Sequence, residues 1–305
     1  MCQLHHPNLV SFLGFCDDEF KDEMMVVYEY MPNGSLHHQL RERDSNSPAL
    51  LWKTRLEISI RIARALHYLH VGTKGTIVHC DVKSQNILLD EHWNPKLSDF
   101  GLSLKGPKYS SKDKAKEVKR VRGTVGFMAP EYIINNKVSS KCDVFSFGMF
   151  LLELISRETL SQILMITDEE YDQEKKNEGK DKHASPSFKN TAEEVRTATE
   201  STDNWNGVVS LISHAMAEGV LRNLEEKGNI GKIIDPSLVG EIAPECWRLY
   251  IDIAASCLSG DPDARPDMGQ VEVQLERALQ PQQEADAPRF LDLTFFLLHF
   301  LCFFF

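Results

Sequence analysis

The sequence has no Cys-x-x-Cys pair, no basic stretch leading into an apolar run at its start, and no Gly-x-Gly-x-x-Gly anywhere. Each absence excludes something. The seven cysteines, at 2, 16, 80, 142, 246, 257 and 302, are odd in number and scattered, which argues against a disulfide framework and for reduced thiols in a cytosolic compartment. Met-Cys-Gln-Leu-His-His-Pro carries no secretory signal, and Cys2 in place of glycine excludes N-myristoylation of this sequence. Without the glycine-rich turn, one common phosphate cradle is missing. Positive charge is short as well, with 34 Lys and Arg against 45 Asp and Glu. The net charge of -11 gives no electrostatic reason to expect nucleic acid as a partner.

What is present is enough apolar sequence, 42% of 305 residues, to bury a substantial core as one or two domains. One stretch is dense in chemistry: His79-Cys80-Asp81-Val82-Lys83-Ser84-Gln85-Asn86-Ile87-Leu88-Leu89-Asp90, followed by Lys96-Leu97-Ser98-Asp99-Phe100-Gly101. Phosphoryl transfer is mostly positioning and charge stabilisation. It needs a carboxylate to orient the attacking hydroxyl and oxygen ligands for Mg²⁺ on the nucleotide phosphates. Asp81 is the candidate base, and Asn86 stands at the Asp-x-x-x-x-Asn offset where an amide oxygen can ligate a metal ion. Asp99, opening Asp-Phe-Gly, is the second candidate metal ligand. Ala129-Pro130-Glu131 follows after a loop of suitable length, and three such motifs in order are a strong signal.

On these motifs the chain resembles a eukaryotic protein kinase. Tyr28-Glu29-Tyr30-Met31-Pro32-Asn33-Gly34-Ser35-Leu36, Leu66-His67-Tyr68-Leu69-His70 and Asp143-Val144-Phe145-Ser146-Phe147-Gly148 narrow the resemblance to plant receptor-like Ser/Thr kinases of the Pelle-related type. It covers residues 3–157 and 208–280. The resemblance implies an α+β protein-kinase fold with a complete, mostly helical C-lobe and a truncated small β-lobe. The family's phosphate-covering glycine loop, its strand Lys and its helix Glu find no counterpart. Residues 1–30 then read as the small-lobe remnant, and 31–157 as hinge, catalytic loop, activation segment and central helix. Residues 158–207 form an insertion, 208–280 the final helices, and 281–305 a tail.

The resemblance implies ATP and Mg²⁺ as cofactors and protein Ser/Thr hydroxyls as substrates, in receptor complexes at the inner face of the plasma membrane. It implies roles for Asp81 as base, Lys83 on the γ-phosphate, and Asn86 and Asp99 on metal. Backbone groups near Glu29 and Met31 would meet the adenine edge, with Leu88 as the floor beneath it. Ser110 and Ser111 would be phosphosites, and Thr124 would line the substrate channel. Cys80 departs from the usual Arg, and a thiol cannot clamp a loop phosphate, so the chain looks like a non-RD kinase. A second reading stays open: a catalytically impaired, kinase-like scaffold or fragment that binds protein partners.

Local patterns add detail. Residues 9–15 and 24–30 read as strands. Residues 52–70 read as a core helix carrying Ile58, Ile62, Ala65, Leu66 and Leu69 on its buried face, with Arg55, Glu57, Arg61 and Arg64 off it. Residues 144–155 are almost continuously apolar and read as a helix buried on all sides, with Asp143 supporting the catalytic loop. Glu131 and Arg265 match a structural ion pair of the family. His5-His6 and His37-His38 have no carboxylate or thiol partners at ligand spacing and read as solvated or capping residues. Residues 102–122 read as a basic, mobile activation segment, and residues 168–206 as too polar to offset the entropy of ordering. Helical periodicity returns over 208–224. The Phe- and Leu-rich run at 290–305 is too short for a bilayer span. A membrane contact, a segment tucked onto the small lobe and a sequence without evolved function stay open for it.

Overall fold

A computed structural model describes residues 4–18, 23–42, 49–106, 115–156 and 234–287. In chain order these form β1 (Phe12–Asp18), β2 (Glu23–Tyr28), α1 (Leu36–Arg41), α2 (Trp52–Val71), β3 (Ile77–Val78), β4 (Ile87–Leu89) and β5 (Pro95–Leu97). Then come β6 (Leu104–Lys105), β7 (Lys116–Glu117), α3 (Pro130–Asn135), β8 (Lys137–Val138), α4 (Ser140–Ile155), α5 (Pro244–Cys257) and α6 (Met268–Asp286). The strands pair two by two, β1 with β2, β3 with β6, β4 with β5, and β7 with β8, all antiparallel. The expected insertion at 158–207, the helical pattern at 208–224, the run at 290–305, Ser110 and Ser111 lie outside the described residues.

The first strand begins three residues later than its composition predicts. Residues 8–10 are drawn instead to β5, where Leu97 N donates to Asn8 O at 2.9 Å and Val10 N donates to Leu97 O at 3.0 Å. That exchange buries Leu9 and Val10, a gain the hairpin cannot offer. Leu13, Phe15, Met25 and Val27 of the hairpin stay exposed.

Two helices carry the core. Helix α4 opens with a capping box, Ser139 on the N–H side and Cys142 reaching back, which satisfies N-terminal donors that otherwise lack partners. Every residue from Cys142 to Ile155 is buried, so a moment-bearing stripe is not to be expected and the all-round apolar sequence fits a central helix. At Gly148 an added Cβ would lie 2.8 Å from Leu258 Cγ and 2.9 Å from Cys257 Cβ, so a side chain there would push α4 off the end of α5. Helix α2 buries Leu56, Ile62, Leu66 and Leu69 against the same core. Tyr250 of α5 closes the group, its ring edge-on to Trp52 at 4.8 Å and its hydroxyl donating to Leu151 O at 2.8 Å.

Arg55 corrects the helical-face assignment. It is 2% exposed rather than off the core face, because its guanidinium finds three acceptors: Leu50 O at 2.9 Å, Leu154 O at 2.7 Å and Asp235 Oδ2 at 2.5 Å. A buried cation with every fork occupied is tolerated where an unpaired one is not. By contrast, Arg64 joins Glu272 and Glu276 of α6 at 2.7 Å each, on the surface, where such pairs contribute roughly 0–1 kcal/mol. The Glu131–Arg265 pair is present and bidentate, Nη1 to Oε1 at 2.7 Å and Nη2 to Oε2 at 2.9 Å. Among the described residues, no helix is long and apolar enough to cross a membrane.

Candidate active site

The stretch that follows β3 is held from behind by α4. Asp143, fully buried in the first turn of that helix, accepts from His79 N at 2.7 Å, Cys80 N at 2.9 Å and His70 Nε2 at 2.9 Å. The sequence suggests the support by Asp143 but gives no sign of His70. These bonds hold Cys80 at φ 70°, a left-handed conformation that costs a non-glycine residue of order 1 kcal/mol or more unless its surroundings impose it. Asp99 is left-handed too, at φ 59°. The Cys80 thiol is buried, and that burial, reinforced by the nearby Asp143 carboxylate, pushes its pKa far up. It is therefore no thiolate nucleophile.

His79 lies at the centre of the loop, fully enclosed. Its Nε2 meets Ser98 O at 2.9 Å, its Nδ1 accepts from Asp81 N at 3.3 Å, and its ring stands edge-on to Phe100 at 5.1 Å. A ring accepting on one nitrogen and donating on the other is neutral. Burial lowers its pKa below the ordinary 6.5, with Asp143 opposing. The unfolded chain therefore binds this proton more readily than the folded one. The stability His79 contributes is present above pH 6.5 and lost as pH falls below it. Urea titrations at pH 7.5 and 5.5 should show the lower midpoint at 5.5, with the difference reduced in His79→Gln.

Asp81 is the hub of the polar network. Lys83 Nζ donates to its Oδ2 at 2.8 Å, Thr124 Oγ1 donates to its Oδ1 at 2.6 Å, and Asn86 Nδ2 donates to both Oδ2 and the Asp81 carbonyl at 2.8 Å. Lys83 Nζ also donates to Thr124 Oγ1 at 2.6 Å. Burial pushes the Asp81 carboxyl up, but the bonds from Lys83, Thr124 and Asn86 outweigh it, and the pKa falls below its ordinary value. Asp81 is a carboxylate at neutral pH.

Asn86 ends a 3₁₀ turn over Ser84–Asn86. With both Nδ2 hydrogens spent on Asp81, its Oδ1 has no hydrogen bond among the described residues and can serve as an oxygen ligand. Ser98 N and Oγ both donate to Asn86 O at 2.8 Å, which brings Asp99 alongside. Asp99 is exposed, and its Oδ1 accepts only a 3.2 Å bond from Gly101 N among the described residues. The two offer hard oxygen ligands and no more, since no group of three or more His, Cys, Asp or Glu among the described residues could hold a metal. A hard divalent ion that keeps several waters and phosphate oxygens in its shell would suit so open a donor set.

The other expected contacts sit along one edge. Glu29 Oε2 is bonded by Lys96 Nζ at 2.7 Å and Oε1 by Ser11 N at 2.6 Å, which ties the hairpin exit to β5. Met31 is buried and its carbonyl accepts from Gly34 N at 3.2 Å. Gly34 needs its glycine, at φ 65°, and Ser35 then caps α1 through His38 N at 3.2 Å. Asn33-Gly34 is thus a turn into a helix. In β4, Ile87 and Leu89 point into the core while Leu88 is half-exposed on the opposite face.

The protein kinase domain family matches residues 1–274. The chain belongs to the protein kinase family. The kinase is similar to the receptor-like protein kinases ANXUR2, 39% identical over 290 residues, and FERONIA, 36% identical over 287 residues, both from Arabidopsis thaliana. Those matches take in 95% and 94% of this chain but only 28% and 26% of the relatives. A probable serine/threonine-protein kinase of the same plant, PBL21, is 34% identical over 90% of this chain and 59% of its own length. By family, then, this is a protein serine/threonine kinase, a class that uses ATP and a divalent metal.

Three features of the kinase escape motif reading. The hydroxyl of Thr124 reaches the Asp81 carboxylate itself. His70 shares Asp143 with the loop backbone. Glu153 of α4 binds Ser84, in the 3₁₀ turn that ends at Asn86, through both carboxylate oxygens. Each is a contact across 43 or more residues, beyond the reach of spacing arguments.

Proposed function

We propose that this kinase transfers the γ-phosphate of ATP to Ser and Thr hydroxyls of proteins, with Mg²⁺ held by Asn86 and Asp99. The network around Asp81 carries this reading. An ionised carboxylate held by three donors cannot swing away, so an incoming hydroxyl meets an acceptor already in place. As the hydroxyl oxygen bonds to phosphorus, its proton passes to Asp81, and the bond from phosphorus to the leaving β-phosphate oxygen breaks. Lys83 Nζ, anchored between Asp81 and Thr124, is the fixed positive charge beside the transferring group. A bound divalent ion neutralises charge on the nucleotide phosphates. The backbone near Glu29 and Met31 would meet the adenine edge over Leu88, and Thr124 would position the substrate hydroxyl.

The receptor-like names of the relatives support substrates within a receptor complex at the inner membrane face. The lack of Gly-x-Gly-x-x-Gly in the sequence supports a second reading, a partner-binding scaffold with weak nucleotide affinity. Calorimetry of the full chain with ATP and Mg²⁺ separates the two. Binding that Asp99→Asn weakens by about 10-fold or more supports the catalytic reading. A folded chain with no binding overturns it in favour of the scaffold.

A further inference from the structure

Glu153 is a buried carboxylate that the network around Asp81 does not use. It is 4% exposed in the last turn of an apolar helix, a costly place for a charge unless its oxygens are occupied. Both are taken by one residue. Oε2 accepts from Ser84 N at 3.1 Å and Oε1 from Ser84 Oγ at 2.6 Å. His37 of α1 approaches the same pair, its Nδ1 3.2 Å from Ser84 Oγ and 3.5 Å from Glu153 Oε1.

Ser84 opens the Ser84–Asn86 turn, and the residue before it, Lys83, provides no side-chain cap. The leading N–H of such a turn has no partner within the turn itself. Glu153 supplies from another helix the acceptor that the local sequence lacks. Two residues on, Asn86 turns its amide nitrogen to Asp81, and its Oδ1 has no hydrogen bond among the described residues. The height of that turn against α4 sets how the amide meets Asp81.

We propose that Glu153 is a positioning residue for the metal site: by pinning Ser84 it holds Asn86 in the orientation that presents Oδ1 to the divalent ion. The inference rests on the reading of Asn86 as a metal ligand. Outer-shell partners of this kind typically affect metal affinity by about 10- to 100-fold. In Glu153→Ala the turn loses both acceptors. Glu153→Gln keeps an oxygen for Ser84 N and an amide for Ser84 Oγ, without the charge.

The test is calorimetry of ATP binding across Mg²⁺ concentrations, on the full chain below its melting temperature, with melting recorded for every variant. Glu153→Ala should raise the Mg²⁺ concentration for half-saturation about 10-fold, leave metal-free ATP affinity unchanged, and be largely rescued in Glu153→Gln. If Glu153→Ala lowers only the melting temperature, the role is structural and the inference is overturned. Should Glu153→Ala fail to fold, Ser84→Ala, which removes only the hydroxyl, carries the comparison. An unshifted Mg²⁺ dependence there overturns the inference equally. Asn86→Ala separates the two levels. If it too leaves the Mg²⁺ dependence unchanged, the metal-ligand reading fails and the inference falls with it; if it shifts the dependence and Glu153→Ala does not, only the inference falls.

Discussion

Replacing Glu131 by alanine is expected to destabilise the fold by about 3–5 kcal/mol, measured as the loss of unfolding free energy in urea. The reason is what remains behind. Arg265 has no exposed side-chain surface, and Glu131 neutralises it through two bonds while Ser259 O and Lys141 O, at 2.7 and 3.0 Å, take only its remaining hydrogens. Its guanidinium lies 5.0 Å over the Phe145 ring, in the joint between α3, α4 and the residues before α6, where no second carboxylate bonds it among the described residues. Removing both charges together, in Glu131→Leu with Arg265→Met, should cost less than the single change, since an apolar pair of similar volume leaves no buried charge. A double variant as unstable as the single one would show that packing, not charge, dominates there.

Asp81→Asn should lower phosphotransfer to Ser/Thr peptides by about 10²- to 10⁴-fold with little change in ATP affinity. The substitution keeps the size of the side chain but only one acceptor oxygen, where Lys83 and Asn86 bond Oδ2 and Thr124 bonds Oδ1, and it cannot take the hydroxyl proton. Rates per folded molecule, followed with labelled ATP, give the answer. A fall of less than about tenfold would mean that proton removal at Asp81 contributes little and that Lys83 and the metal carry the rate.

Much of this architecture is legible in the sequence because the relevant signals are local. Asp81, Asn86 and Asp99 are fixed by spacing within one stretch, and α4 by an unbroken apolar run. Glu131 and Arg265 are reached through motif order rather than contact. The failures share a cause. Arg55 looks solvent-facing by periodicity, yet the backbone carbonyl of Leu154 and the carboxylate of Asp235 make its burial tolerable. Residues 9 and 10 look like the start of a strand, yet β5 offers them a buried partner. Glu153 reads as one polar position in an apolar helix, and nothing nearby in the chain says that Ser84 waits for it. In each case the deciding group lies dozens of residues away, where pattern carries no information.

The support of the loop from α4 also has a schedule. His79 N and Cys80 N find Asp143 across 64 and 63 residues, and Ser84 N finds Glu153 across 69. At a synthesis rate of roughly 5–20 residues per second, the ribosome delivers the loop about 3–14 s before the helix that accepts its amide hydrogens. During that interval the amides of His79, Cys80 and Ser84 lack these acceptors, and the left-handed turn at Cys80 is without the carboxylate that fixes it. The supported loop around Asp81 can be completed only after the ribosome has finished α4.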